Sequence, residues 1–294
     1  MESWRTTLTS SAKGWPAPAK LNLYLRVVGR RDDGYHLLST AFQFLDFGDR
    51  LHFAPRTDSK IALLTPTPGV SPGEDLIVRA ARALNAATGT RHGVDVRCEK
   101  RIPPGGGLGG GSSDAATTLV ALNRLWGIGL STDRLATIAL ELGADVPVFV
   151  RGRAAHAAGV GEQLEPMDFP EPLYVVIHPG VQVDTGAIFA APELTRDSRP
   201  ATISNSPLRG ARNDCESVVR ARSPEVSRAL SWLRARGPGL LTGTGSCVFS
   251  WRDSQAEAGA LAEQVAAPWR AVVARGCNRS PLCTRLDEDM EIGA

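Results

Sequence analysis

Between Pro103 and Asp114 the chain reads Pro-Pro-Gly-Gly-Gly-Leu-Gly-Gly-Gly-Ser-Ser-Asp, with six glycines among the seven residues 105–111. Each glycine raises the entropic cost of ordering a backbone, so such a run is either a flexible linker or a place where something approaches main-chain N–H groups closely. Its flanks favour the second. Upstream, Val94, Val96 and Cys98 alternate with Asp95, Arg97 and Glu99, the period of a half-buried strand that the two prolines end. Downstream, Ala115, Leu119, Leu122 and Trp126 share one helical face, Ser113 or Asp114 is placed to cap the N-terminus, and Gly127 ends the run. Strand, glycine loop and helix N-terminus together make an anion site, with N–H groups and a positive dipole end facing a phosphate.

Two familiar phosphate loops do not fit. Gly105, Gly107 and Gly110 spell G-x-G-x-x-G, a match that so many glycines make nearly automatic; the acidic residue expected about 20 positions later is only Asp133, in a turn. Gly106 and Gly111 have the Walker spacing, but Ser112 stands where the lysine belongs.

The 294 residues, 43% hydrophobic and 22% charged, leave room for two domains of a soluble globular protein. A net charge of +2 without a basic stripe argues against a nucleic-acid or membrane-surface partner, leaving a small molecule. Five scattered cysteines without C-x-x-C spacing indicate neither a disulfide framework nor zinc, and a reducing cytoplasm is the expected setting. No apolar run approaches the ~20 residues of a membrane span.

Along the chain, a polar tail (residues 1–14) precedes a strand in which Leu21, Leu23 and Leu25 alternate with Lys20, Asn22 and Tyr24. A solvated strand face would explain that polar row. Lysine, however, is rare: of 33 basic residues only Lys13, Lys20, Lys60 and Lys100 are lysine, and two of the four sit near the motifs. A compact ammonium suits phosphoryl chemistry as a point charge. Asp33-Gly34 marks a turn that puts Tyr35 and His36 at a loop edge. Strands are expected over 41–47 and 51–53 and a helix over 76–87. A helix through Leu135 and Leu142 stops at Gly143, and the next segment is Gly-Ala-Asp-Val-Pro-Val-Phe, in which Asp145 has the pattern of an N-cap. A composition shift at 159–161 suggests a domain boundary. Beyond it come a strand at 173–177, a helix from Asp184, a Ser/Pro/Arg-rich loop at 195–207 whose order the sequence leaves open, and a helix at 225–236. Strands at 247–251 and 271–274 then flank a helix at 255–266, and Leu-Thr-Gly-Thr-Gly-Ser-Cys at 241–247 forms a second glycine turn.

The run Gly-Gly-Gly-Leu-Gly-Gly-Gly-Ser-Ser-Asp-Ala-Ala resembles the second motif of the GHMP kinases, the superfamily of galactokinase and of homoserine, mevalonate and phosphomevalonate kinases. In this fuller form it is similar to the family of 4-diphosphocytidyl-2-C-methyl-D-erythritol kinases. Pro-Ala-Lys-Leu-Asn-Leu through Gly-Tyr-His resembles the first motif, and 241–247 the third. That resemblance implies an α+β fold of two domains, the GHMP kinase fold: residues 15–160 as an ATP-binding domain with a left-handed βαβ crossover, and residues 161–294 as a ferredoxin-like substrate-binding domain. It implies ATP as co-substrate, Mg²⁺ with ligands unknown, and catalysis by Lys20 and Asp145. Nucleotide contacts would come from Lys100, Pro103, Pro104, Gly105, Gly106, Gly107, Leu108, Gly109, Gly110, Gly111, Ser112, Ser113 and Asp114. The same carry-over gives Asn22, Thr185, Gly243, Thr244 and Gly245 to the substrate, His36 to a cytosine edge, and Tyr35 and Phe189 to its two faces. Asp75 departs from the asparagine usual before Leu76, Asn213-Asp214 is expected to cap, and the oligomeric state stays open between monomer and homodimer. Two readings compete: a GHMP kinase for a smaller alcohol, which would lack the base pocket, and a silent nucleotide sensor, which would lose Lys20 or Asp145.

Overall fold

The structure, a computed structural model, describes residues 14–67 and 69–292; residues 1–13 of the expected tail lie outside these. Two long strands form its spine. β1 (Trp15–Arg30) pairs antiparallel with β2 (His36–Arg56) from Trp15↔Leu51 to Arg30↔His36, with bulges on either side of Lys20 and Asn22. β2 is one strand where the sequence suggests two. Gly48 breaks the apolar alternation because β1 lies so close that a Cβ there would sit 2.2 Å from the Ala17 carbonyl oxygen. The polar row is no solvated face: Lys20 and Asn22 are each 3% exposed and Tyr24 6%.

β3 (Ile61–Leu63), α1 (Leu76–Thr88) and β4 (Gly93–Glu99) form a crossover that places β3 and β4 parallel, with β4 antiparallel to β2. α2 (Gly110–Leu125), α3 (Thr132–Leu142) and α4 (Val146–Arg151) follow. Apolar faces of these helices close over Phe42, Phe44, Leu51 and Phe53 of β2 in the first core. The hairpin of β5 (Ala155–Ala158) and β6 (Gln163–Pro166) then pairs with β2, and the expected boundary at 159–161 is its turn.

The second half comprises β7 (Leu173–His178), α5 (Thr185–Phe189), α6 (Glu216–Arg222), α7 (Pro224–Arg234), β8 (Leu240–Leu241), β9 (Val248–Arg252), α8 (Gln255–Glu263), β10 (Arg270–Cys277) and α9 (Pro281–Ile292). Here α5 to α8 cover β7 and β9 in a second core. β10 pairs with β7 over Arg270–Arg275 and reaches β2 through Gly276↔Leu45 and Cys277↔Phe44, so ten strands form one sheet. A third core joins the halves: Leu21, Leu23 and Leu45 meet Tyr174 and Phe249. Leu108, the one side chain inside the glycine run, is buried there and anchors the loop.

Neither α6 nor α9 is legible as a helix in the sequence. α9 is polar, and it is held by Arg285, whose guanidinium lies 4.9 Å from the centre of the Trp15 ring. The 195–207 loop contains no helix or strand but is tied down: Ser198 N–H donates to Val27 O and Ala201 N–H to the Ser39 hydroxyl. Among the described residues no helix is long and apolar enough to cross a membrane, and all five cysteines are free.

Candidate active site

The glycine loop, the bulged stretch of β1, the start of α4 and the 241–247 turn surround a cleft of about 990 Å³. Every residue expected at the site lines this cleft except Ser113 and Gly245.

At its floor the Lys20 ammonium meets three acceptors: Asn22 Oδ1 at 2.5 Å, Gly107 O at 3.2 Å and Asp145 Oδ2 at 3.3 Å. An ammonium has three protons, so its orientation is fixed. Asn22 is itself oriented from behind, its Nδ2 donating to Thr40 Oγ1 at 2.9 Å while the Thr40 hydroxyl donates to Tyr24 O. Asp145 occupies the N-cap position of α4, yet its side chain makes no capping bond. Its carboxylate instead faces Lys20, with the side chain 36% exposed toward the cleft. The sequence alone favours a cap; the geometry gives the side chain to the site.

α2 starts at Gly110, three residues before the expected capping serine, with Gly109 at the N-cap and no side-chain capping bond. Ser113 and Asp114 are therefore inside the helix and cap nothing. Gly109 can take φ +72°, which a residue with a Cβ avoids, so the chain turns sharply and the first N–H groups of α2 are left without helical acceptors. These groups and the positive end of the helix dipole can receive an anion.

The glycines also answer to the third motif. Ser246 and Cys247 N–H donate to Gly105 O and Gly106 O, each at 3.0 Å, and a Cβ on Gly107 would lie 2.3 Å from Thr242 O. Asn213 Nδ2 donates to Leu241 O and Gly243 O, and Asp214 accepts from Val27 N–H, so this pair ties the turn to β1.

Lys100 has one ammonium for two carboxylates, Asp49 at 2.5 Å and Asp114 at 2.7 Å. Asp49 also accepts the N–H groups of Arg101 and Ile102, where the chain enters the loop, so the cluster ties the loop entrance to α2. Asp114 is pushed up to about 7, by burial first and by Asp49 next, against the pull of Lys100. A carboxyl raised in the fold contributes stability fully present below its unfolded value and lost as pH rises through the folded value. The stability of wild type relative to Asp114→Asn should thus fall between about pH 4 and about 7 and level off above. Urea unfolding near pH 5 and near pH 8 reads this, and an equal difference at both would contradict it.

The far end of the cleft is aromatic. His36 stacks on Phe189 with centroids 5.1 Å apart, and Tyr35 is 62% exposed at the rim. Thr185 and Thr244 share a hydrogen bond of 2.8 Å between α5 and the third motif. At the opposite end Asp75 caps α1 by accepting from Ile77 N–H and also takes the Thr67 hydroxyl, so both its oxygens are engaged. Thr40 and Asp49 carry no local signal in the sequence, their partners being brought in by the fold, and Thr242 is marked only as part of the 241–247 turn; its hydroxyl accepts the Asn22 N–H at 2.9 Å.

Residues 75–153 match the GHMP kinases N terminal domain and residues 198–271 the GHMP kinases C terminal family. A Nitrosococcus oceani protein named 4-diphosphocytidyl-2-C-methyl-D-erythritol kinase is 54% identical over 93% of this chain and 98% of its own length. One of the same name from Chromohalobacter salexigens is 55% identical over 91% and 92%. A crystal structure of 4-(cytidine 5'-diphospho)-2C-methyl-D-erythritol kinase superposes with a TM-score of 0.77 at 36% identity, covering 89% of this chain and 98% of that one. The mevalonate kinase of Methanococcus jannaschii shares the fold, with a TM-score of 0.67 at 15% identity over 92% of this chain and 100% of that one. With the glycine loop at a helix N-terminus, the fixed lysine and the α+β fold of N- and C-terminal GHMP domains, the chain belongs to the GHMP kinases and, within them, to the family of 4-diphosphocytidyl-2-C-methyl-D-erythritol kinases.

Proposed function

We propose that the protein transfers the γ-phosphoryl group of ATP to the 2-hydroxyl of 4-diphosphocytidyl-2-C-methyl-D-erythritol, a step in making isoprenoid precursors. The observation that carries this reading is the Lys20 ammonium, held by three acceptors and paired with Asp145 in a cleft whose far end carries a stacked His36 and Phe189. A silent sensor has no need of the Lys20–Asp145 pair, and a kinase for a small alcohol has no need of the aromatic end.

In this reading Asp145 accepts the proton of the acceptor hydroxyl, whose oxygen bonds to the γ-phosphorus as the bond to the β-phosphate oxygen breaks and ADP leaves with that electron pair. Lys20 steadies the negative charge that develops between the two. Backbone N–H groups of the loop and of the first turn of α2 hold the ATP phosphates, and being fixed in advance they cost no reorganisation during transfer. Asp145, partly exposed, returns its proton to solvent.

The GHMP kinases use ATP, and Mg²⁺ would enter with it. Asp114 lines the cleft near the start of α2, its Oδ1 is buried without a partner, and such an oxygen fits a hard cation. Among the described residues no group of three or more His, Cys, Asp or Glu forms a ready cage. When bound, the ion offsets phosphate charge. All residues invoked belong to one chain, so the reaction is compatible with a monomer or a homodimer, and the proposed setting is the cytoplasm.

Product analysis tests the reaction. Purified protein with ATP, Mg²⁺ and the cytidylated acceptor should yield a product one phosphoryl group heavier, with a new phosphomonoester on the 2-position by phosphorus NMR and the diphosphate intact. A product phosphorylated elsewhere, or none, would contradict it. Phe189→Ala tests the base end: losing a stacking face should raise the acceptor KM by roughly 5- to 100-fold and leave the ATP KM alone, whereas equal rises for both substrates would put Phe189 in a structural role.

A further inference from the structure

Arg196 lies in the 195–207 loop and does not line the cleft, yet all three nitrogens of its guanidinium are engaged behind the base end. Its Nε donates to His36 Nε2 at 3.1 Å, one terminal nitrogen donates to Leu194 O at 3.0 Å, and the other donates to Ala191 O at 2.6 Å and Phe189 O at 3.1 Å. One side chain therefore fixes both members of the His36–Phe189 stack.

A neutral imidazole carries one proton, on either ring nitrogen, and the bond made by one nitrogen decides the role of the other. Arginine can only donate, so His36 Nε2 must accept and the proton must sit on Nδ1. Burial, then Arg196, then Arg30 lower the His36 pKa, which keeps the ring neutral and the choice of tautomer meaningful. The imidazole lines the cleft, and with Nε2 occupied only Nδ1–H remains to meet a ligand. A donor suits the cytosine edge, whose N3 and O2 both accept. Uracil presents an N3–H donor at the same place. An unconstrained histidine would adapt by moving its proton to Nε2 and accepting from uracil, but here that would set an N–H of His36 against an N–H of Arg196.

We infer that Arg196 is the positioning residue for base specificity, locking His36 as an Nδ1–H donor so that the pocket takes a cytidine diphosphate conjugate and refuses the uridine one. This deepens the proposed function and rests on its base pocket. Discrimination arises from a donor that a wrong base would cover and leave unpaired, with Arg196 denying the histidine its alternative.

The test compares kcat/KM for the cytidylated acceptor and its uridylated analogue in wild type, Arg196→Met and Arg196→Lys. Wild type should favour the cytidine acceptor strongly. Arg196→Met should shrink that preference by roughly 10- to 100-fold, mainly because the uridine analogue becomes a better substrate, and Arg196→Lys, which keeps a donor, should restore part of it. If Arg196→Met lowers both acceptors equally and leaves their ratio unchanged, Arg196 is merely structural and the inference is wrong. Nitrogen-15 NMR of the histidines in the free wild-type protein reads the lock without substrate and without any variant having to fold: a protonated Nδ1 on His36 supports it, a protonated Nε2 overturns it. Failure of wild type to phosphorylate the cytidylated acceptor at all would instead sink the proposed function, so the two failures are told apart.

Discussion

Asp145→Asn should lower kcat by about 10²–10⁴ while the dissociation constant for ATP stays nearly unchanged. The substitution preserves size and removes the proposed proton acceptor. Its geometry makes the result informative, because Asp145 makes no side-chain capping bond to α4 and its recorded partner is Lys20 at 3.3 Å. Lys20 keeps Asn22 Oδ1 and Gly107 O in the variant, so the ammonium should remain in place and the loss should fall on the chemical step. Thermal stability should change little. Were Asp145 only a cap, turnover would stay near normal in Asp145→Asn, because asparagine caps as well as aspartate, and Asp145→Ala would cost about 1 kcal/mol in stability with little loss of turnover. Steady-state kinetics, ATP calorimetry and a melting curve on one preparation separate the two.

A second large effect is expected from Gly109→Val. At φ +72° the new side chain is strained, and its Cβ would lie 2.8 Å from Phe149 Cζ and 3.1 Å from Lys20 Cε. Phe149 is fully buried and cannot yield. The loop must therefore lift, which spoils the alignment of N–H groups on phosphate, and Lys20 is pushed off its three acceptors. ATP affinity should fall roughly tenfold or more and kcat should fall with it, alongside a stability loss of about 1–3 kcal/mol. Gly129→Ala supplies the control: Gly129 has φ +75° with nothing within 4 Å of a Cβ, so it carries backbone strain without the clash. A folded Gly109→Val protein with wild-type ATP affinity and turnover would refute this view of the loop.

How far the site could be read from the chain depended on how local its causes are. The glycine loop, the helix after it and the Asp145 segment are contiguous stretches whose spacing carries their meaning, and the cleft contains them. The reason for the glycines was legible only in part. Close approach to phosphate explains the free N–H groups, but Gly107 is also required by the Thr242 carbonyl, 135 residues away in sequence. Lys20 and Asn22 had the alternation of an ordinary strand face; what makes them a site is burial by elements far along the chain. Arg196 and Asp49 gave no local signal, since His36 is 160 residues from the first and Lys100 is 51 from the second. A Ser/Pro/Arg-rich composition correctly foretold irregular backbone at 195–207, yet composition does not reveal a guanidinium with four acceptors.

In the proposed function Lys20 and Asp145 serve a cytidylated acceptor rather than a bare alcohol. ADP release measured side by side with the cytidylated acceptor, homoserine, mevalonate and galactose tests it most directly. Turnover is expected with the cytidylated acceptor, lowered by about 10²–10⁴ in Asp145→Asn, and none with the other three. Release of ADP with homoserine, mevalonate or galactose, and none with the cytidylated acceptor, would contradict it.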